Sequence, residues 1–140
     1  MNQIYIYGLE DISKIAEFVN SALEKVQLLT FQGQLGAGKT TLIKNVLSQL
    51  GVAEEDVTSP TFTYVNVYKT NVGKVVYHFD LYRVDDLQMF YRLGFDEYLQ
   101  DTDAIILIEW PEVVMSILPK HLEVKIDYEG VDKRRLSLKG

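Results

Sequence analysis

Eight consecutive residues, Gly33-Gln34-Leu35-Gly36-Ala37-Gly38-Lys39-Thr40, carry the clearest chemistry in the chain. They fit G-x-x-x-x-G-K-[ST], a phosphate-binding loop. Gly33, Gly36 and Gly38 have no Cβ, so the backbone can curl with its N–H groups turned inward around phosphate oxygens. A helix starting at the end of the loop adds unpaired N–H groups and the positive end of its dipole. Lys39 is expected to reach the β- and γ-phosphates, and the Thr40 hydroxyl to ligate Mg²⁺. The expected nucleotide contacts are Gly33, Leu35, Gly36, Ala37, Gly38, Lys39, Thr40 and Thr41. No Asn-Lys-x-Asp, the guanine-reading motif of GTPases, occurs, so ATP/ADP is the expected nucleotide.

A second candidate lies far along the chain. Ala104-Ile105-Ile106-Leu107-Ile108 is a continuous apolar run, as in a strand buried on both faces, and it ends in Glu109. Strand ends of α/β sheets point at the ligand crevice, so this carboxylate is expected to serve the metal together with Thr40. Aspartate is the usual residue at such a site. The longer Glu109 would ligate Mg²⁺ directly or hold it through water; the plainer alternative is a solvated acid at a strand end. Trp110, the only tryptophan, follows directly. It reads equally as a nucleotide neighbour, a partner contact or a core anchor.

Between these two stretches lies Thr58-Ser59-Pro60-Thr61. Thr61 there either senses the γ-phosphate and Mg²⁺ or belongs to an ordinary Ser-Pro turn entering a strand. Phe62 to Lys69 alternates, Thr70-Asn71-Val72-Gly73 has turn chemistry, and Lys74 to Tyr82 is strand-like again. An antiparallel hairpin over 62–82 follows. A turn centred on those four residues sets Thr63 opposite Asp80 and Thr61 opposite Tyr82. Period two puts His78, Asp80 and Tyr82 on one face. The hairpin would then carry Thr61 and Asp80 together toward the phosphates.

The elements that must position these groups are legible. Val26 to Phe31, short and apolar, reads as the strand before the loop, and Leu42, Ile43, Val46, Leu47 and Leu50 after it recur at helical spacing. Gly51 sits where a helix end wants a left-handed residue. Ile4 to Tyr7 suggests a first strand. Ile12, Ile15, Ala16, Val19, Ala22, Leu23 and Val26 form one apolar stripe of a helix capped by Asp11 or Ser13. Asp85-Asp86 can cap a short helix that Gly94 breaks, and Phe95 to Leu99 forms another turn. Pro111 suits the first turn of a helix through Leu118. Leu122, Val124, Ile126 and Tyr128 alternate, and Leu136 and Leu138 return, giving a second hairpin over 121–139. Lys133-Arg134-Arg135 reads as a solvated hairpin end before an RNA contact.

The fold class that follows is α/β: a P-loop NTPase-like single domain, with a central mixed sheet and helices on both faces. A chain of 140 residues and 16.1 kDa suits one core. The absence of cysteine excludes disulfides and thiolate metal sites and fits a reducing cytoplasm. No signal-like start and no apolar run approaching a membrane span appear, so no membrane association is expected. A net charge of −6 is the wrong sign for an independent nucleic-acid binder.

Together, the phosphate loop through Thr41, Ser59-Pro60-Thr61-Phe62, His78-Phe79-Asp80-Leu81-Tyr82-Arg83 and Leu107-Ile108-Glu109-Trp110-Pro111-Glu112 closely resemble the TsaE (YjeE) family. The resemblance implies a bacterial ATPase required for threonylcarbamoyladenosine synthesis in tRNA, working with TsaD and TsaB and meeting tRNA only indirectly. It implies Mg²⁺ bound through Thr40 and Glu109, Asp80 as a catalytic or water-orienting acid, and Thr61 in a switch-like loop. With Lys39, the expected catalytic set is Lys39, Asp80 and Glu109. Weak turnover alone is expected, since no finger arginine is fixed in place and Arg83 is the nearest candidate. Two other readings stand beside the ATPase: a nucleotide-gated binding module whose hydrolysis is incidental, and a small-molecule kinase, for which the chain is short and without a lid.

Overall fold

These patterns assemble into a seven-stranded mixed sheet in a computed structural model, which describes residues 2–54, 57 and 63–140. In chain order the elements are β1 (Asn2–Gly8), α1 (Ile12–Ala22), β2 (Leu28–Gln32), α2 (Lys39–Gln49), β3 (Val65–Lys69), β4 (Val75–Asp80), α3 (Leu87–Arg92), β5 (Ile105–Glu109), β6 (Leu122–Glu129) and β7 (Lys133–Lys139). Short 3-10 turns cover Leu9–Asp11, Phe95–Gln100 and Pro111–Ile117. The strand order is β1-β7-β6-β2-β5-β4-β3. The four central strands run parallel, and β7, β1 and β3 join antiparallel toward the edges.

Two apolar clusters hold the sheet from opposite sides. Leu29, Phe31, Ile105, Leu107, Val124 and Ile126 face α1 and α2, which contribute Ile15, Ala16, Val19, Leu42, Ile43, Val46 and Leu47. The alternate residues Leu28, Phe79, Ile106 and Ile108 face Phe90 of α3, Phe95 and Val114. That division explains why β5 reads as unbroken Ile and Leu: a period of two sends its neighbours to opposite clusters, and both are dry. All five β5 residues are buried. The second cluster is knit by tilted and edge-on aromatic pairs, with the Phe79 ring 5.6 Å from both Phe95 and Tyr98. Among the described residues no helix is long and apolar enough to cross a membrane.

The helix ends follow local chemistry with one exception. Gly51, at φ 83°, closes α2 in the left-handed conformation expected of it. Asp86 caps α3, its Oδ1 accepting the Met89 N–H at 2.8 Å. Neither Asp11 nor Ser13 caps α1 as expected. The preceding 3-10 turn runs straight into the helix, and the Ile12 N–H donates to Leu9 O instead.

The first hairpin departs from its expected register by one residue. Val65 pairs with Phe79 and Asn66 with His78, so Asp80 lies beside Tyr64, whose carbonyl accepts the Asp80 N–H at 2.9 Å, and not opposite Thr63. The cause is the turn. Thr70 N–H donates to Lys74 O at 2.9 Å, leaving the odd three-residue loop Asn71-Val72-Gly73, closed by Gly73 at φ 81°. The arms are also shorter than 62–82, β3 beginning at Val65 after Tyr64 at φ 64°. Thr61 lies outside the described residues, so its expected place opposite Tyr82 does too. The facial assignment holds: Val76, on the His78 and Asp80 side, packs toward α1 and α2, whereas Phe79 and Leu81 join the other cluster.

Replacing Phe79 with Ala removes the ring at the centre of the aromatic cluster. Unfolding in urea should show a loss of about 3–5 kcal/mol in stability, seen as a lower midpoint with the slope unchanged.

Candidate functional site

The site forms where β2 ends and α2 begins. β2 is flanked by the parallel strands β5 and β6, and Phe31 pairs with both Glu109 and Val124. The loop after Gln32 must therefore rise between two strand ends at very close quarters. At Gly33 an added Cβ would stand 2.5 Å from the Ile126 carbonyl oxygen, so no side chain is tolerated there. Gly36 and Gly38 adopt φ values of 79° and 106°, which turn the chain back onto the start of α2. The first bond into the helix is from Leu42 N–H to Gly38 O, at 3.0 Å. By helix geometry the N–H groups of Lys39, Thr40 and Thr41 have no carbonyl one turn back, and they form the positive end of the dipole.

Around this helix start, Leu35, Gly36, Gly38, Lys39, Thr40, Thr41, Asp80, Glu109 and Trp110 surround a cavity of about 300 Å³. Eight of these are expected site residues. Gly33 lines a neighbouring cavity with Tyr82 and Trp110. Ala37 is buried, donating its N–H to Gln34 O at 3.0 Å.

Lys39 is 5% exposed. Its Nζ donates to the carbonyls of Gly33 and Gln34 and stands 4.1 Å from the centre of the Trp110 ring. Burial pushes its pKa below the usual lysine value, against the pull of Glu109, Asp80 and Glu112. Trp110 itself occupies a left-handed backbone conformation, φ 56°, and its ring also meets Tyr82 at 4.9 Å. A bulky residue in that conformation is strained. Its place settles one ambiguity of the sequence: Trp110 covers the lysine at the mouth of the site and is no core anchor.

The two carboxylates sit side by side because β4 and β5 are parallel neighbours with Asp80 paired to Glu109. Thr40 Oγ1 donates to Glu109 Oε1 at 3.3 Å, and His78 Nε2 meets Glu109 Oε2 at 2.7 Å. Asp80 Oδ1 accepts the Tyr82 N–H at 3.0 Å. Burial is the main cause of a raised pKa at Asp80, with the Glu109 charge adding to it and the Tyr82 bond opposing.

Three contributors were not assigned to the site from sequence. Period two puts His78 on the Asp80 face, but it does not show that the ring meets Glu109. Tyr128 OH donates to Gly36 O at 3.0 Å, and Arg134 Nε donates to Ala37 O at 3.1 Å while its guanidinium lies 4.3 Å from the Tyr128 ring centre. The basic cluster is thus not simply a solvated hairpin end. Arg134 ties the hairpin to the phosphate loop, Arg135 pairs with Glu129 at 3.2 Å and Lys133 with Glu10 at 3.9 Å. No local signal in a strand pattern announces such a contact, since its partners lie 92 and 97 residues away.

Thr40 Oγ1 and Glu109 Oε1 form an all-oxygen pair beside the start of α2, donor chemistry that a hard cation such as Mg²⁺ could use. Among the described residues no group of three or more His, Asp or Glu is assembled for a metal.

Asp80 gives a pH test. Its folded pKa is raised, so the folded state is penalised at pH values above it, where the carboxylate must be charged while partly buried. Below the unfolded pKa both states are protonated and no penalty remains. Asp80→Asn should therefore raise the melting temperature at neutral pH, with the gain shrinking to nothing as pH falls through the carboxylate range, as read by calorimetric melts at several pH values.

Comparisons with known proteins bear on the whole chain. The family described as "Threonylcarbamoyl adenosine biosynthesis protein TsaE" matches residues 7–136. The tRNA threonylcarbamoyladenosine biosynthesis protein TsaE of Haemophilus influenzae is 43% identical over 116 residues, covering 82% of this chain and 71% of that protein. The protein of the same name from Bacillus subtilis is 35% identical over 129 residues, covering 91% and 78%. The crystal structure of YdiB from Bacillus subtilis superimposes with a TM-score of 0.72 at 27% identity, over 100% of this chain and 86% of that one. With a family match over residues 7–136, the chain belongs to the TsaE family, the proteins of threonylcarbamoyladenosine biosynthesis in tRNA.

Proposed function

We propose that this protein is a Mg²⁺-dependent ATPase of P-loop NTPase-like fold, acting in the cytoplasm with TsaD and TsaB on the threonylcarbamoyladenosine modification of tRNA. The observation that carries the reading is the junction of β2 and α2. Three glycines with positive φ bend the loop there, Lys39 stands inside it, and Thr40 faces Glu109 across 3.3 Å. Free helix amides, a buried ammonium and an oxygen donor pair in one cavity suit a polyphosphate and a hard cation. Contact with tRNA through partners is supported by the net charge of −6.

In the proposed reaction a water oxygen bonds to the γ-phosphorus, the bond from that phosphorus to the bridging oxygen breaks, and ADP and phosphate leave. Asp80, fixed by the Tyr82 N–H and made more basic by burial, orients the water and accepts its proton. Lys39 exchanges the carbonyls of Gly33 and Gln34 for phosphate oxygens and offsets their charge. Thr40 Oγ1 and Glu109 Oε1 would hold Mg²⁺, which when bound supplies positive charge against the phosphate oxygens. The Trp110 ring, 4.1 Å from Lys39 Nζ, helps hold the ammonium in place.

Lys39→Ala should lower ATP turnover by on the order of 10²-fold or more while the melting curve shows a retained fold. Unchanged turnover would remove Lys39 from the mechanism. Assembly with TsaD and TsaB in the presence of a non-hydrolysable ATP analogue should proceed, but repeated rounds of tRNA modification should stop. Continued rounds would favour a binding module without required hydrolysis, and phosphate found on an added metabolite would favour a kinase.

A further inference from the structure

We infer that His78 is a positioning residue that decides which oxygen of Glu109 faces the metal side of the site. The inference rests on the Mg²⁺–ATP reading above and adds a residue to it. His78 Nε2 and Glu109 Oε2 are 2.7 Å apart, with side chains 2% and 3% exposed. With its proton on Nε2, His78 donates and Glu109 Oε2 accepts. That bond occupies Oε2 and leaves Oε1 turned to the Thr40 hydroxyl at 3.3 Å. The two oxygens of one carboxylate are thereby given separate tasks.

The sheet imposes this arrangement. In the parallel pair β4–β5, His78 stands beside Leu107 and Asp80 beside Glu109. His78, Asp80 and Glu109 therefore share the face toward α2, with the imidazole one step back from the strand end. Reaching back to it while keeping Oε1 forward takes a long carboxylate. That is a reason for glutamate where aspartate is usual. The other ring nitrogen, Nδ1, is buried with no hydrogen-bond partner among the described residues. The ring makes one polar contact there, and it goes to Glu109. Carboxylates that bind metals are commonly held by such a hydrogen bond, and its loss typically weakens metal affinity about 10–100-fold.

The test is calorimetric titration of the intact protein with a non-hydrolysable ATP analogue, in MgCl₂ and in EDTA. The wild type should bind more tightly with Mg²⁺. In His78→Leu the affinity in EDTA should stay near wild type, while the gain from Mg²⁺ falls by about tenfold or more. His78→Gln, whose amide nitrogen reaches the position of Nε2, should restore most of the gain; His78→Asn, one bond shorter, should not. If His78→Leu does not fold, the Gln and Asn variants decide the matter alone. In a Glu109→Gln background, removing His78 should cost nothing further in the Mg²⁺ gain. A full gain in His78→Leu, equal gains in the Gln and Asn variants, or an added loss in the Glu109→Gln background would overturn the inference and leave the ATPase reading standing. A wild type without any Mg²⁺ gain would overturn the metal site itself.

Discussion

The site depends on one constraint: β2 and β5 must be adjacent and parallel. Only then do the loop leaving β2 and the carboxylate ending β5 emerge at the same edge of the sheet, bringing Thr40 and Glu109 within hydrogen-bonding distance although 69 residues separate them. The two-sided burial of β5 enforces that adjacency. Its Ile and Leu residues need an apolar neighbour on both faces, and a strand covered on one face alone would leave Ile106 and Ile108, or Ile105 and Leu107, in water. The hydrophobic effect thus sets a polar geometry: the core chooses the strand neighbours, and the neighbours choose which side chains meet.

The polar groups of the site return little stability for that placement. A hydrogen bond to a charged group contributes about 1.5–3 kcal/mol, and a buried unpaired nitrogen such as His78 Nδ1 costs about 1–3 kcal/mol. The His78–Glu109 pair is then close to neutral for folding. Lys39 is similar: two carbonyls and an indole face compensate a desolvated ammonium without gaining on water. Trp110 adds backbone strain at φ 56°. Such buried, strained or half-partnered groups with no net stability to offer are consistent with the proposed ligand site. They are supported by two apolar clusters whose burial carries the folding free energy.

The C-terminal hairpin has a part in the site that its amphipathic pattern conceals. β6 lies against β2, its Ile126 carbonyl excludes any side chain at position 33, and Tyr128 and Arg134 hold the carbonyls of Gly36 and Ala37. The bond to the Ala37 carbonyl orients the peptide plane that carries the Gly38 N–H, whereas the Ala37 N–H, in the plane of the Gly36 carbonyl, is already donated to Gln34 O. The hairpin therefore braces the glycine-rich loop from behind, while β4 and β5 supply the groups in front of it.

Much of this molecule could be read in its residues alone. The loop, the strand and helix around it, the buried β5 with Glu109 at its end, the Asp86 cap and both hairpins follow from spacing, because period, turn chemistry and capping act over a few residues and are written there. The register of the first hairpin could not be fixed that way. Even and odd turns differ by one residue, and the hydrogen bond between Thr70 and Lys74 chose the odd one. His78 beneath Glu109, Trp110 over Lys39, and Arg134 behind Ala37 were likewise left to the tertiary structure. Each joins residues far apart in the chain, and such distances are set by which strands the core makes neighbours. Local sequence determined what each segment is and which chemistry it carries; packing decided which of those chemistries touch.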